Sequence, residues 1–348
     1  MSDALTEPRS DPAFWRGKRV VVTGGSGFIG SHVVERLLPV CARVVVPTRQ
    51  AGIPPFLQHV AGDVEFACGD LQDEAFAIQA FAGADVAMLM AAMVGGIEYN
   101  MAHHGSIFRD NLRVFLSSME AARQRDLGRV LVTSSACVYP RFCRIPTPES
   151  EGFVDQPEET NRGYGFAKRM EEYVAGAYAA EFGMSVAVAR PYNAYGPRDD
   201  FDPATSHVIP ALIRKAFDPA TPELVVWGSG GQSRSFLYVA DFADGLLRAC
   251  ERSTTPQAIN IGADEETTIG EVALQIAALS GTGKTVRFDT SRPEGQPRRH
   301  CDTTRQGELL DFQPRWRLRD GLAATVDWYR ANAGVGQAAL TPGSAILS

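Results

Sequence analysis

Apolar residues fall along this chain in two alternating rhythms. Short runs rich in valine, bounded by Gly, Pro or Asp, have the length and β-branched character of strands. They lie at 18–24 (KRVVVTG), 42–48 (ARVVVPT), 64–70 (VEFACGD), 85–92 (DVAMLMAA), 128–136 (GRVLVTSSA) and 185–197 (SVAVARPYNAYGP). Between them, segments with helical periodicity run at 27–39, where Pro39 stops the turn, and at 74–84, roughly 106–126 and 163–183. Strands alternating with helices predict an α/β fold with a mostly parallel sheet. After about residue 197 the order turns irregular, with proline-rich loops and short strands at 223–228 and 258–262. That shift predicts a second, smaller mixed α/β lobe.

Composition narrows the class. The 348 residues are 45% hydrophobic and 22% charged, with a formal net charge of −7 and no long basic run, which argues against a nucleic-acid partner. A basic cluster at 292–300 (RPEGQPRRH) leaves room for a local anion site. The six cysteines, at 41, 68, 137, 143, 250 and 301, form no C-x-x-C pair and read as reduced thiols, with no metal expected. The N-terminus lacks an apolar signal region, and no apolar run reaches membrane-spanning length. A soluble, cytoplasmic protein with no membrane partner is expected.

The segment TGGSGFIG (23–30) places Gly24, Gly27 and Gly30 between a strand and a helix. Small residues there let a backbone approach a pyrophosphate, and the helix N-terminus offers oriented N–H groups. With Phe28 and Ile29 completing the turn, this predicts dinucleotide binding by a Rossmann-type doubly wound parallel sheet. The second strand ends in Thr48 and Arg49 with no carboxylate. An arginine suits a 2′-phosphate, so NADP(H) is favoured over NAD, against the alternative of Arg49 as a solvated loop charge. Asp70 reads either as a partner for the adenine amino group or as a helix N-cap. Leu71 and Ala91, at the ends of later strands, complete the expected cofactor contacts.

GYGFAK (163–168) puts Tyr164 and Lys168 four apart, on one helix face. A neighbouring ammonium and a positive nicotinamide favour the phenolate, so a lowered tyrosine pKa is expected. Ser135, at a strand end, is placed to donate a second hydrogen bond to the same substrate oxygen.

Together with NLRVFLSSMEAAR (111–123), RPYNAYGPR (190–198) and RSFLYVADFADGL (234–246), these motifs resemble the extended short-chain dehydrogenase/reductases, which act on nucleotide sugars. The resemblance spans nearly the whole chain and implies Ser135, Tyr164 and Lys168 as the hydride-transfer triad. The Asp-Glu pair of the dehydratases is replaced by Ala136-Cys137. SSACVYP (134–140) and SHVIPALIRKA (206–216) are similar to the GDP-L-fucose synthase and GDP-mannose 3,5-epimerase branches. That likeness implies Cys137 and His207 as a pair that inverts carbons beside a 4-keto group. A thiol near pKa 8.5 and an imidazole near 6.5 can exchange protons at neutral pH. It also implies substrate contacts from Val94, Gly95, Gly96, Asn193, Val208, Trp227, Arg234 and Arg299, a GDP-sugar substrate, and a homodimer formed through the two long helices. Two outcomes stay open: epimerisation followed by NADPH-dependent reduction at C4, or epimerisation with a retained cofactor and no net redox.

The expected organisation is a flexible tail (1–16), an NAD(P)-binding domain (17–190, also receiving about 236–262), a substrate lobe (191–235 and 263–332) and a second tail (333–348). Three features are set aside. SGTGKT (280–285) lacks the leading glycine of a phosphate loop, His103-His104 have no metal spacing, and His32 is expected to face outward from its helix.

Overall fold

Seven strands, most of them runs of valine and alanine, form the centre of the molecule. The computed structural model describes residues 10–93, 95, 97–203, 205–292 and 296–332. The first half holds α1 (Pro12–Trp15), β1 (Arg19–Thr23), α2 (Phe28–Leu37), β2 (Arg43–Thr48), β3 (Val64–Cys68), α3 (Glu74–Ala80), β4 (Val86–Leu89), α4 (Ile97–Ala102), α5 (His104–Gln124) and β5 (Arg129–Thr133). Next come α6 (Arg162–Phe182), β6 (Val186–Pro191), β7 (Ala194–Tyr195), α7 (Val208–Phe217), β8 (Glu223–Trp227), β9 (Ser233–Ser235), β10 (Leu237–Tyr238), α8 (Val239–Arg252) and β11 (Ala258–Ile261). The chain ends with β12 (Glu266–Thr268), α9 (Ile269–Ser280), β13 (Thr285–Asp289), β14 (Arg298–Arg299), α10 (Thr304–Leu310) and α11 (Leu318–Asn332).

The main sheet has the order β11-β6-β5-β4-β1-β2-β3, and every pairing in it is parallel. Its strands alternate between two cores, as a sheet covered on both faces must. Val20, Val22, Val44 and Val46 pack with Val33, Leu37, Leu246 and Leu247 from α2 and α8. Val21, Val45, Val130 and Val132 pack with Ala77, Phe115, Met119 and Ala175 from α3, α5 and α6. The order runs outward in opposite directions from β1 and β4, so the crevice at their carboxyl ends is the switch point where α/β sheets take ligands.

The C-terminal half packs onto Phe28 and Ile29 at the start of α2, beside that crevice. A third core joins Ile209, Leu212 and Ile213 of α7 to Val272 and Ile276 of α9 and Leu322 and Val326 of α11. Three small sheets border it, β10-β7, β12-β9-β14 and β13-β8. Among the described residues no helix is long and apolar enough to cross a membrane.

The expected first tail ends earlier than residue 16. Asp11 caps α1 by accepting from Ala13 N at 2.9 Å. Trp15 is fully buried, and its indole N–H donates to Glu251 on α8 at 2.6 Å. A four-residue helix is too short to show a period, but one buried tryptophan anchors it to the core.

Candidate active site

Backbone contact at the switch point depends on glycine. Gly24 has φ +70°, and a Cβ there would lie 3.0 Å from the Ala91 backbone at the end of β4. A Cβ at Gly30 would lie 2.1 Å from the Gly24 carbonyl oxygen. Thr23 Oγ1 ties the two strand ends together, accepting from Met90 N at 2.9 Å and Ala91 N at 3.1 Å. Gly27 caps α2 without a side-chain hydrogen bond, so Phe28 and Ile29 open a helix whose first N–H groups no side chain caps. This cradle of glycines at a helix N-terminus fits a dinucleotide pyrophosphate.

At the adenosine end, Arg49 is exposed just past β2. Asp70 is not a helix cap: its carboxylate accepts from Gln72 N at 2.9 Å, while Asp73 caps α3 through Ala75 N. The N-cap alternative therefore falls away, and the Asp70 side chain remains exposed. Leu71 is buried, and its carbonyl accepts from the Ser117 hydroxyl.

Tyr164 and Lys168 lie on α6 facing the end of β5. Glycines on either side of Tyr164 press the helix into place, since a Cβ at Gly163 would strike His104 and one at Gly165 would strike the Cys137 carbonyl, each at 2.4 Å. Ser135 caps a short 3-10 turn (Ala136–Val138), accepting from Cys137 N at 3.1 Å, and its hydroxyl favours the Tyr164 phenolate. Lys168 Nζ donates to Thr133 O at 2.9 Å and to Glu171 Oε2 at 2.8 Å, and lies 5.6 Å from the Tyr164 ring centre.

The Lys168 ammonium alone does not lower the Tyr164 pKa in this pocket. Burial dominates and raises it to about 12, against the pull of the Lys168 ammonium. Desolvation penalises the phenolate more than one nearby cation favours it. A phenol held protonated is suited to donate.

Cys137 belongs to the same cluster. Its carbonyl lies against Gly165 of α6, and the Arg299 guanidinium donates to the neighbouring Ala136 O at 2.6 Å. Arg299 on β14 pairs in register with Arg234 on β9. Burial first, then Arg299, pulls the Arg234 pKa down to about 10, while Glu158 and Glu266 oppose the shift. Asn193, at φ +33°, donates from Nδ2 to Ser235 O at 2.8 Å and so fixes the start of the second lobe against β9.

The other expected residues lie on separate elements. His207 and Val208 open α7, with His207 at its N-cap. The imidazole touches water yet is walled by enough protein that desolvation lowers its pKa, with Asp200 pulling the other way. Among the described residues no hydrogen bond joins His207 to the Ser135–Tyr164 cluster. Trp227 is 54% exposed, with Lys215 at 5.2 Å and Arg292 at 5.4 Å from its ring centre. Gly95 N donates to Asn100 Oδ1 at 3.0 Å, and Val94 and Gly96 lie outside the described residues.

Sequence reasoning missed Glu171, although 164, 168 and 171 share one helical stripe, and missed Glu158, which no motif marks. His32 does not face outward. Its Nε2 lies 3.1 Å from Pro197 O, joining α2 to the loop after β7.

Comparison with known proteins gives a consistent picture. Residues 20–262 match the sequence model of the NAD dependent epimerase/dehydratase family. The chain is 34% identical over 322 residues to a dTDP-4-dehydro-6-deoxy-D-allose reductase of Streptomyces sp, covering 91% of this chain and 97% of that one. It is 32% identical over 328 residues to the GDP-L-fucose synthase of Escherichia coli (strain K12), covering 90% and 97%. A solved GDP-L-fucose synthetase from Naegleria fowleri bound to NADP aligns with TM-score 0.77 at 25% identity, covering 97% of this chain and 98% of that one.

Proposed function

This chain belongs to the NAD dependent epimerase/dehydratase family, and from that premise we propose that it is an NADP(H)-dependent nucleotide-sugar epimerase/reductase. The substrate favoured is a GDP-4-keto-6-deoxy-hexose, inverted at C3 and C5 and then reduced at C4. The observation that carries this reading is the Arg299 guanidinium donating to the Ala136 carbonyl, next in chain to Cys137, while Arg299 pairs with Arg234. An anion anchor thereby adjoins a proton-transfer group and the Ser135–Tyr164 pair.

Each residue then has a task. Arg234 and Arg299 take the diphosphate oxygens, where a guanidinium fork fits best. Trp227 offers an exposed aromatic face to the base, and Asn193 and Val208 line the sugar side. Ser135 and Tyr164 hydrogen-bond O4 and polarise the ketone, which stabilises the enolate left when a proton departs the adjacent carbon. Arg299 supplies a counter-charge to a thiolate, which fits Cys137 as proton acceptor, and His207 returns a proton on the opposite face. In the reduction Tyr164 gives its proton to O4. Gly24, Gly27, Gly30, Arg49, Asp70 and Lys168 would hold NADPH, which would supply a hydride to C4.

A second reading is reduction of a dTDP-4-keto-6-deoxy-hexose, favoured by the 34% identical dTDP-sugar reductase. A third, epimerisation without net redox, rests on SSACVYP and RSFLYV. One experiment separates them. The purified enzyme is mixed with NADPH and either GDP-4-keto-6-deoxymannose or dTDP-4-keto-6-deoxyglucose in deuterated buffer. Stoichiometric NADPH loss with deuterium at C3 and C5 supports the lead reading; loss without deuterium supports simple reduction; deuterium without loss supports the epimerase. Neither signal with either sugar refutes all three.

The enzyme is further proposed to be cytoplasmic and to pair with a second copy through α5 and α6, where Leu116, Tyr173 and Phe182 are exposed. A monomeric mass by light scattering would end the dimer proposal.

A further inference from the structure

Tyr164, Lys168 and Glu171 are spaced by four and three residues, so they form one stripe along α6. The Lys168 ammonium and the Glu171 carboxylate meet at 2.8 Å, with only 2% and 3% of their side chains exposed. A second ammonium proton goes to Thr133 O at 2.9 Å. Among the described residues Glu171 makes no other hydrogen bond. Its neighbour Glu172 is engaged elsewhere, accepting from Arg190 at 2.7 and 2.6 Å and from Ser134.

A buried ion pair gives little net stability over apolar side chains of the same volume. Folding alone therefore does not call for a glutamate at 171. The lysine does. Burial is the largest influence on Lys168 and works against its charge, and Glu171 is the first group that reverses it. Burial in turn raises Glu171 to about 7, which the Lys168 ammonium resists.

Resting on the proposed reaction, we infer that Glu171 is a positioning residue that keeps Lys168 charged and aimed at the Tyr164 side of the site. The charged and titratable groups around the pair are few. On α6 they are Tyr164 and Glu172; Arg190 comes from β6 and Cys137 from the 3-10 turn. Asp110 on α5 is turned to Arg109.

Glu171→Gln keeps the volume and an acceptor but removes the charge. Its kcat for C4 reduction should fall about tenfold with the KM for the sugar nucleotide unchanged. The basic limb of its pH profile should move down by about one unit. A Tyr164 freed of a nearby anion and a Lys168 that loses its proton sooner both act in that direction. Without turnover, the NADPH Kd measured by fluorescence should rise severalfold. Glu171→Asp, which keeps the charge but retracts it, should hold the basic limb near its wild-type position with reduced kcat. That variant decides the matter if the glutamine form does not fold: an Asp limb displaced by a full unit overturns the proposal. A Gln variant with wild-type kcat, pH limb and NADPH Kd makes Glu171 a packing group only. A wild-type enzyme that oxidises no NADPH with either keto-sugar refutes the reaction instead, and the NADPH Kd then judges Glu171 alone.

Discussion

Arg234 and Arg299 occupy paired positions on the parallel strands β9 and β14, two like charges side by side in a half-buried cleft. Such a pair repels itself unless an anion lies between its members. Arg234→Ala should raise the KM for the nucleotide sugar about 10- to 100-fold, the loss of a charge-assisted contact to phosphate. Its Tm should hold or rise slightly, because the repulsion is relieved. Steady-state kinetics with a thermal melt checks both; an unchanged KM removes Arg234 from the substrate site.

Cys137 and His207 are expected to act on carbon, not on O4. Cys137→Ser and His207→Gln should each slow deuterium entry at C3 and C5 by roughly 10²- to 10⁴-fold, the usual worth of a general acid or base. NADPH oxidation on an already inverted 4-keto sugar should persist in both. Equal loss of the two activities would place these residues in reduction instead. NMR of the product measures the first rate and NADPH absorbance the second.

Arg49 should discriminate between cofactors. Arg49→Ala removes a cation from the end of β2, and the NADPH Kd should weaken about 10- to 100-fold while the NADH Kd hardly moves. Fluorescence titration with both cofactors decides it. Equal changes would mean that Arg49 does not meet a 2′-phosphate.

Gly30→Ala would force a Cβ to 2.1 Å from a backbone oxygen of the same turn. A stability loss of about 1–3 kcal/mol is expected, together with loss of NADPH binding. Gly62→Ala, where nothing lies within 4 Å, is the control and should stay within about 0.5 kcal/mol. Urea melts of both variants test the contrast.

His32 makes the fold acid-sensitive. Burial, with Arg198 adding to it, lowers its pKa from 6.5 to about 4. An unfolded chain takes a proton as pH falls below 6.5, whereas the native imidazole resists until about 4. The stability from the neutral ring is therefore intact above 6.5 and is lost as pH falls toward 4. The loss is roughly 3 kcal/mol at most. His32→Gln should flatten the decline in urea-melt stability across that window, and an unchanged slope would assign it to other groups.

Much of this architecture was legible from one dimension. Valine runs, the glycine turn and the Tyr164–Lys168 spacing are local patterns, and local patterns fix which strands and helices form and which face of each is apolar. Motif likeness brought in Ser135, Cys137 and the two arginines, because each sits in a stretch with a recognisable neighbourhood. Three features were hidden. Trp15 turned an apparent tail into part of the core, His32 faced the second lobe, and Asp73 took the cap that Asp70 was offered. All three depend on segments far apart in sequence.

What the sequence determined by itself was the set of elements and the inventory of reactive groups. Only the tertiary structure decided their company: Arg299 on the Ala136 carbonyl, Arg234 beside Arg299, and Glu171 sealed on Lys168. It also set burial against the Lys168 charge at Tyr164. Periodicity records which side of an element is apolar, whereas desolvation depends on how much protein the other elements bring around a group, and no stretch of chain carries that quantity alone.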